Sequence, residues 1–272
     1  KKFFLALLTL FIVVFLGVGC GLVAIGLDGD KDVSDIHPPA SSQILDMNGN
    51  LITNIHATEN RTLVTLDKIP ANLQNAFIAV EDNRFYEHNG IDPRGIFRAI
   101  YSNLTSGEVA EGGSTITQQL AKNAFLSQDR TFKRKIQEFF IALRLERQYT
   151  KEEILEMYLN QIYFGRGAYG VQAAAQTYFG KDVSQLDLSE CAMLAGIPRS
   201  PNYYSPLNNL GAANERKAEV LDQMVKYGYI DSTTAAKTKA ESLRLVNPKE
   251  QENDNTASYF IDYVTQEMID KF

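Results

Sequence analysis

The first stretch with chemical potential, VEDNRFYEHNGID, occupies residues 80–92 and places two acids behind an amphipathic helical pattern. Glu81 falls at the carboxyl end of this predicted helix, where the helix dipole is negative. The dipole and the neighbouring Asp82 both disfavour a further negative charge, which suits a carboxylate that accepts a proton. An isolated Glu-Asp pair more often marks a solvated helix end, but the nearby Phe85 and His88 argue for a site.

The second stretch, EGGSTITQQLAKN, has two glycines after its first residue and continues as a predicted helix. Free backbone N–H groups at such a helix start bind anions, phosphate especially. An ordinary capped helix is the commoner interpretation, because Gln118 follows Thr115 at capping-box spacing. Further donors on this helix would suit a sugar and a phosphate. The polar side chains in question are Ser114, Thr115, Gln118, Gln119, Lys122 and Asn123.

The third stretch is RTFKRKIQEFFIALRLERQY. Arg134 and Glu138 lie four residues apart on a face that also carries Ile141 and Leu145, so a partly enclosed ion pair is expected. A solvated pair of little energetic value is about equally common. If the pair is enclosed, Arg134 and Lys135 would keep Glu138 ionised. A separate apolar stripe follows the opposite face: Phe132, Ile136, Phe139, Phe140 and Leu143.

Two carboxylates in contrasting surroundings are typical of divided acid–base labour in sugar chemistry. The fourth stretch, residues 150–181, has apolar residues at core spacing and many Gly and Ala residues, which predicts closely approaching helices. Spacing alone places Glu156 on an exposed face. Arg216, in RKAEVL, also reads as a surface residue when judged by its neighbours.

Composition limits the class of protein. The 272 residues are 44% hydrophobic and 22% charged, with a net charge of -6, so no basic field indicates nucleic acid as a partner. Cys20 and Cys191 lie in separate apolar segments and are not expected to pair. No CxxC or HExxH pattern is present, and a zinc site is not predicted.

The chain begins with a long apolar segment. No charged residue occurs from Phe3 to Leu27, and about 20 such residues suffice to cross a bilayer as a helix. Lys1 and Lys2 precede the segment, so the N-terminus should be cytoplasmic and the rest should lie outside the cytoplasm. We expect a retained, single-pass transmembrane helix.

The remaining pattern is mainly helical. A hairpin is predicted around Asn48-Gly49, the strongest short hairpin signal. The sequence thus divides into a transmembrane helix (1–27), a tether and β-hairpin (28–66), a helical catalytic domain (67–245), and a linker with the start of a truncated domain (246–272).

Five motifs in this order resemble the peptidoglycan glycosyltransferases, which form the N-terminal domain of class A penicillin-binding proteins and the monofunctional transglycosylases. The motifs are EDNRFYEHNG, GGSTITQQLAKN, RKIQE, KEEILEMYLN and RKAEVL. Together they span residues 81–221, about half of the chain. Any one motif is weak, whereas five in order are specific.

The resemblance implies a mainly α, lysozyme-like fold with a smaller membrane-facing lobe. It implies polymerisation of lipid II into β-1,4-linked glycan strands, with release of undecaprenyl diphosphate. Glu81 would be the general base and Glu138 a second essential carboxylate near the donor diphosphate or a divalent ion, Mg²⁺ or Mn²⁺; no organic cofactor is expected. The implied substrate-binding residues are Phe85, His88, Ser114, Thr115, Gln118, Gln119, Lys122, Asn123, Arg134 and Lys135. The implied supporting residues are Asp82, Lys151, Glu156 and Arg216.

Implied partners are lipid II, the growing glycan chain, the lipid bilayer, and proteins of cell-wall synthesis or division. No SxxK or KTG motif of a transpeptidase is present. The predicted hairpin near Asn48-Gly49 and the segment after Thr256 nevertheless resemble the flanks of the bifunctional type, so we expect a fragment that ends before a transpeptidase domain. Two alternatives stay open: a muramidase-type hydrolase, which would need neither a membrane helix nor cations beside its second acid, and a non-catalytic wall-binding scaffold.

Overall fold

The computed structural model describes residues 42–45, 47, 51–55, 60–106, 112–126 and 131–246. Helices dominate this part of the chain, as expected from the sequence. They are α1 (Ala71–Glu81), α2 (Pro93–Ser106), α3 (Ile116–Phe125), α4 (Phe132–Gln148), α5 (Lys151–Gln161), α6 (Val171–Phe179), α7 (Leu188–Gly196), α8 (Leu210–Lys226) and α9 (Ser232–Ala240).

The strands are short. β1 (Ser42–Leu45) pairs antiparallel with β2 (Leu51–Ile55), on either side of the predicted turn, and Asn48-Gly49 itself lies outside the described residues. β3 (Asn60–Arg61) pairs in parallel with β4 (Ala168–Tyr169). The second pairing joins the segment before α1 to the loop before α6.

The chain forms two compact units. The first unit contains the described residues between 86 and 154, and the second contains those between 42 and 85 and between 155 and 246. The first unit is built on the packing of α3 against α4. Leu120 and Ala121 of α3 and Ile141 and Leu145 of α4 are all buried, so apolar burial holds these two helices together.

The second unit has the larger apolar core. α7 packs against both α1 and α8, and α9 packs on α8. Phe77 of α1 makes edge-to-face contacts with Tyr158 and Phe164, with ring centroids 5.9 and 6.1 Å apart. Such pairs add to the free energy gained by burying the rings. All of α7 except Leu188 is buried, and its small residues permit a close approach of the neighbouring helices.

Local capping explains where several helices begin. Thr115 and Gln118 form a capping box at α3, and Asp187 and Glu190 form another at α7, as the spacing predicts. At the start of α5, Glu153 accepts hydrogen bonds from the backbone and the side chain of Thr150. The helix start predicted from the Thr115–Gln118 spacing is therefore confirmed.

The burial of the two faces of α4 does not follow their apolar content. The face with Glu138, Ile141 and Leu145 is buried, whereas Phe132 is 78% and Phe139 40% exposed. The stripe of aromatic residues is therefore largely a surface of the first unit, and only Ile136 of it is buried. The ion pair, which spacing indicates to be partly enclosed, lies on the buried side.

Within the described residues, no helix combines the length and apolarity that a bilayer span requires. The transmembrane helix predicted for residues 1–27 lies outside the described residues, as does most of the segment predicted for 246–272.

Candidate active site

Glu138 is the centre of a polar cluster in the first unit. Only 2% of the residue is exposed, and each carboxylate oxygen has its own cation. Arg134 Nε lies 3.0 Å from Oε1, and Lys135 Nζ donates to Oε2 over 2.6 Å. A buried carboxylate is costly unless it is paired in this way. Because Arg134 and Lys135 are more exposed than the acid, they can meet an external anion while they remain paired with Glu138.

Ser114 joins the same cluster from the start of α3. Lys135 Nζ donates a second hydrogen bond to Ser114 Oγ, at 2.9 Å. The Lys135 side chain is 45% exposed, so its ammonium group is accessible to a ligand. The cluster therefore combines a hydroxyl, an ammonium and a guanidinium around one buried acid.

Thr115 and Gln118 have partners within the fold. Thr115 Oγ1 donates to Gly90 O at 2.6 Å and accepts the backbone N–H of Gln118 at 3.1 Å. Gln118 Oε1 in turn accepts the backbone N–H of Thr115. Both residues are buried. This helix start is therefore a capped one, and the hydrogen-bonding groups of Thr115 and Gln118 are held by partners within the fold.

The remaining donors that the sequence predicts on α3 are Gln119, Lys122 and Asn123, all half-buried. Gln119 follows the capped turn, and Lys122 lies in the last turn of the helix. The helix thus brings amide and ammonium groups to the same unit as the Glu138 cluster.

Glu81 is the last residue of α1, in the second unit, as predicted. It is half-buried, and the adjacent Asp82 is buried. The fully buried Tyr158 lies nearby, because its ring packs on Phe77, one helical turn before Glu81. Burial raises the pKa of the Tyr158 phenol well above its ordinary value, and the charges of Glu81 and Asp82 add to this effect.

The aromatic residues that follow Glu81 differ in exposure. Phe85 and His88 are buried, whereas Tyr86 is 54% exposed. Phe85 belongs to the second unit, and its backbone N–H donates to Asp82 O. His88 belongs to the first unit. Both side chains pack within their own units, and their role in shaping the site stays a prediction.

Two of the predicted supporting residues, Lys151 and Glu156, form hydrogen bonds with other parts of the fold. Lys151 Nζ donates to Glu146 Oε1 over 2.7 Å. Glu156 is half-buried and accepts the backbone N–H of Leu66 at 2.7 Å. Spacing alone places Glu156 on an exposed face, and this is wrong because Leu66, far away in sequence, covers it.

Arg216 is also buried, contrary to the surface position that its neighbours in sequence indicate. Its stem packs on Gly196, where a Cβ would lie 2.8 Å from Arg216 Cγ. Its guanidinium lies over the Tyr204 ring and pairs with Glu219 at 2.6 Å. Arg216 thereby fastens α8 to the end of α7.

The structure adds residues that the motifs do not single out. Thr117 Oγ1 donates to Glu146 Oε1 at 2.6 Å in the first unit. In the second unit, Asn160 exchanges hydrogen bonds with both the N–H and the carbonyl of Val64. Helical spacing places Asn160 and Thr117 on the inward-facing sides of their helices. A polar residue at such a position is the sequence signal by which they could be found.

Glu81 and Glu138 belong to different units, so their placement on one groove stays a prediction. Among the described residues, no three His, Cys, Asp or Glu side chains gather as metal ligands. Glu138 suits a metal poorly, because both of its oxygens are already paired with cations.

Comparison with known proteins gives the family. Residues 48–225 match the family described as Transglycosylase, and this is more than half of the chain. The chain therefore belongs to the transglycosylase family and is an enzyme domain of the peptidoglycan glycosyltransferase class, as the motif order predicts.

Relatives of known sequence are penicillin-binding proteins. Penicillin-binding protein 1F of Bacillus subtilis is 45% identical, covering 100% of this chain and 38% of the relative. Penicillin-binding protein 1A of Escherichia coli is 47% identical, covering 88% and 28%. The crystal structure of penicillin-binding protein 1A from Haemophilus influenzae is 27% identical, with a TM-score of 0.50, covering 87% and 25%. The chain thus spans about a quarter to two fifths of these relatives' lengths.

Proposed function

We propose that this chain polymerises lipid II into β-1,4-linked glycan strands and releases undecaprenyl diphosphate. The observation that carries the proposal is Glu138, a buried carboxylate flanked by two more exposed cations in a transglycosylase-family chain. A departing diphosphate develops negative charge, and such cations stabilise it.

In the proposed reaction, the 4-hydroxyl oxygen of the acceptor sugar attacks C1 of the donor sugar. The bond between C1 and the diphosphate oxygen breaks, and the configuration at C1 inverts in a single displacement. Glu81 accepts the hydroxyl proton as general base. Arg134, Lys135 and Lys122 bear the charge of the leaving diphosphate, and Ser114 helps to orient it.

Glu138 acts in this proposal by holding its cations in place. A charge network of this kind is preorganised, so it needs no rearrangement when the diphosphate departs. A divalent cation, Mg²⁺ or Mn²⁺, enters the proposal as an ion carried by the substrate diphosphate, where it would neutralise charge. Glu138 is not assigned as its ligand.

We also propose that the chain is anchored in the cell membrane by residues 3–27, with its N-terminus in the cytoplasm and its catalytic part outside. The uncharged segment and the preceding lysines support this topology. The first unit supplies further support: Phe97, Tyr101 and Leu104 are 72–79% exposed on one face of α2. An apolar surface of this kind suits contact with lipid.

The test is incubation of the protein with lipid II, with separation of products by length. The wild-type chain should form strands, and Glu81→Gln should lower the rate at least about 100-fold, since general base catalysis contributes about 10²–10⁴-fold. Glu87→Gln is the matched control, because Glu87 is an exposed acid of the same motif.

Two results would overturn the proposal. Cleavage of finished glycan without strand growth would identify a muramidase-type hydrolase. Equal strand growth by Glu81→Gln and wild type would remove the proposed base; a wall-binding scaffold would instead show neither strand growth nor cleavage.

A further inference from the structure

Glu146 is a buried acid that the proposed mechanism leaves without a role. It lies on α4, eight residues or about two turns after Glu138. Its side chain is 6% exposed. A single oxygen, Oε1, accepts hydrogen bonds from Thr117 Oγ1 at 2.6 Å and from Lys151 Nζ at 2.7 Å. The carboxylate therefore joins α3, α4 and the start of α5.

The stem of Glu146 packs against Gly90, the glycine that ends the EDNRFYEHNG motif. Gly90 has a φ of +85°, and a Cβ there would lie 3.0 Å from both Glu146 Cγ and Ala142 O. Its carbonyl oxygen accepts the hydrogen bond from Thr115 Oγ1. Because Gly90 has no side chain, its backbone can pass close to α4. Its carbonyl oxygen also holds Thr115, the N-cap residue of α3.

Ser114 is fixed through these contacts. Thr115, the residue after it, is held by Gly90, and Thr117 is held by Glu146. These bonds set where the start of α3 lies along α4. Ser114 then reaches Lys135 Nζ, which also donates to Glu138. The position of the Ser114 hydroxyl beside Lys135 therefore depends on the attachment of Thr117 to Glu146.

We propose that Glu146 is a positioning residue for the Ser114–Lys135–Glu138 cluster and that it acts through Thr117. The inference rests on the proposed function, in which this cluster receives the donor diphosphate. Lys151 balances the buried charge of Glu146, which gives that predicted supporting residue a defined task. Glu146 itself touches no reacting atom in this scheme.

The test is a double-mutant cycle measured as the rate of lipid II polymerisation. Thr117→Val removes the hydroxyl at nearly constant volume and should lower the rate about tenfold. In a Ser114→Ala background the same change should lower the rate less than about twofold, because the side chain being positioned is gone. Thr117→Ser keeps the hydroxyl and should restore most of the rate. Glu146→Met removes both acceptor oxygens at similar side-chain length and should behave like Thr117→Val in both backgrounds.

A purely structural role gives a different pattern. Ile141→Val removes one buried methylene from the same α3–α4 interface and should lower the melting temperature with an unchanged rate at the assay temperature. If Thr117→Val resembles Ile141→Val, or lowers the rate equally with and without Ser114, the inference is wrong while the proposed function stands. If Ser114→Ala polymerises lipid II like the wild type, the assignment of the cluster in the proposed function fails as well.

Discussion

At the scale of single residues, the two candidate carboxylates have contrasting surroundings. Glu138 is enclosed, and a cation contacts each of its oxygens. Glu81 ends a helix next to another acid and near a buried phenol. The first environment pairs a carboxylate with two cations, whereas the second places a carboxylate beside a further acid, and such a contrast is typical of divided acid–base labour.

The Tyr158 hydroxyl is predicted to matter for the rate of glycan polymerisation. Tyr158→Phe removes only the phenol oxygen, whose pKa is raised by burial and by the charges of Glu81 and Asp82. We expect the rate with lipid II to fall about tenfold or more, with little change in KM.

Tyr178→Phe is the matched control for this prediction. Tyr178 is likewise a buried tyrosine of the second unit, but its hydroxyl donates to Phe164 O, at 2.7 Å. This variant should lose stability and keep its rate. Equal rates for the two variants would show that the Tyr158 hydroxyl has no special relation to Glu81.

At the scale of the elements, glycine decides how α6 begins. Gly170 precedes the helix with a φ of +80°, and a Cβ there would lie 2.7 Å from Asn160 O. Gly167 also has a positive φ, +75°, but a Cβ there meets nothing within 4 Å. Substitutions at the two glycines therefore separate the cost of the backbone conformation from the cost of a steric contact.

Gly167→Ala should destabilise the chain by about 1 kcal/mol, the usual cost of a left-handed residue with a Cβ. Gly170→Ala should cost about 3 kcal/mol, because the carbonyl of Asn160 must also move. Urea unfolding of both variants measures the difference. Equal losses would mean that the contact with α5 relaxes freely.

Lys217 links three helices of the second unit. Its ammonium donates to Ser189 Oγ of α7, to Thr238 O of α9 and to Glu241 O beyond it. Burial lowers the pKa of Lys217 below its ordinary 10.5, although Glu241 and Asp187 oppose the shift. In the unfolded chain the lysine keeps its proton up to the ordinary value.

Between the lowered pKa and 10.5 the unfolded chain therefore binds more protons at Lys217 than the folded chain does. Lys217 therefore makes the free energy of unfolding rise with pH through this window. Relative to Lys217→Met, the wild type should gain stability as the pH rises from the lowered pKa of Lys217 toward its ordinary 10.5. A difference that is independent of pH would contradict the prediction.

The sequence predicts those elements that depend on neighbouring residues. The starts of α3, α5 and α7 follow from capping spacings of three residues, and α1 ends at Glu81 as its pattern indicates. Long-range contacts decide the rest. Glu156 is covered by Leu66 and Arg216 by Gly196 and Tyr204, and no local pattern contains these partners.

α4 shows why apolar content is an incomplete guide. Five apolar residues form one stripe, yet the buried side is the one with the ion pair. An acid can be buried where cations on the same helix neutralise it, and an aromatic stripe can be exposed where another apolar phase is available. Spacing gives the two faces but not which of them packs on α3.

At the scale of the whole molecule, the apolar surface of the first unit is predicted to lie in lipid. The chain has no tryptophan, so one introduced indole reports on its own surroundings. In proteoliposomes, Phe97→Trp should emit at shorter wavelength than in detergent-free buffer and should be quenched by brominated lipid, since Phe97 is 73% exposed on α2.

Leu210→Trp serves as the control, because Leu210 is an exposed apolar residue of the second unit, at the start of α8. Its emission should be insensitive to brominated lipid. Quenching of both indoles alike would mean that the first unit has no preferential contact with the bilayer.

The enclosure of Glu138 has a consequence for ionic strength. Mobile ions shorten the reach of exposed charges, to about 3 Å at 1 M salt, but they enter a buried pair poorly. Lys135, nearly half exposed, would lose much of its attraction for an incoming diphosphate, while its bond to the 2% exposed Glu138 would persist. Concentrated electrolyte should therefore raise the KM for lipid II and leave kcat almost unchanged.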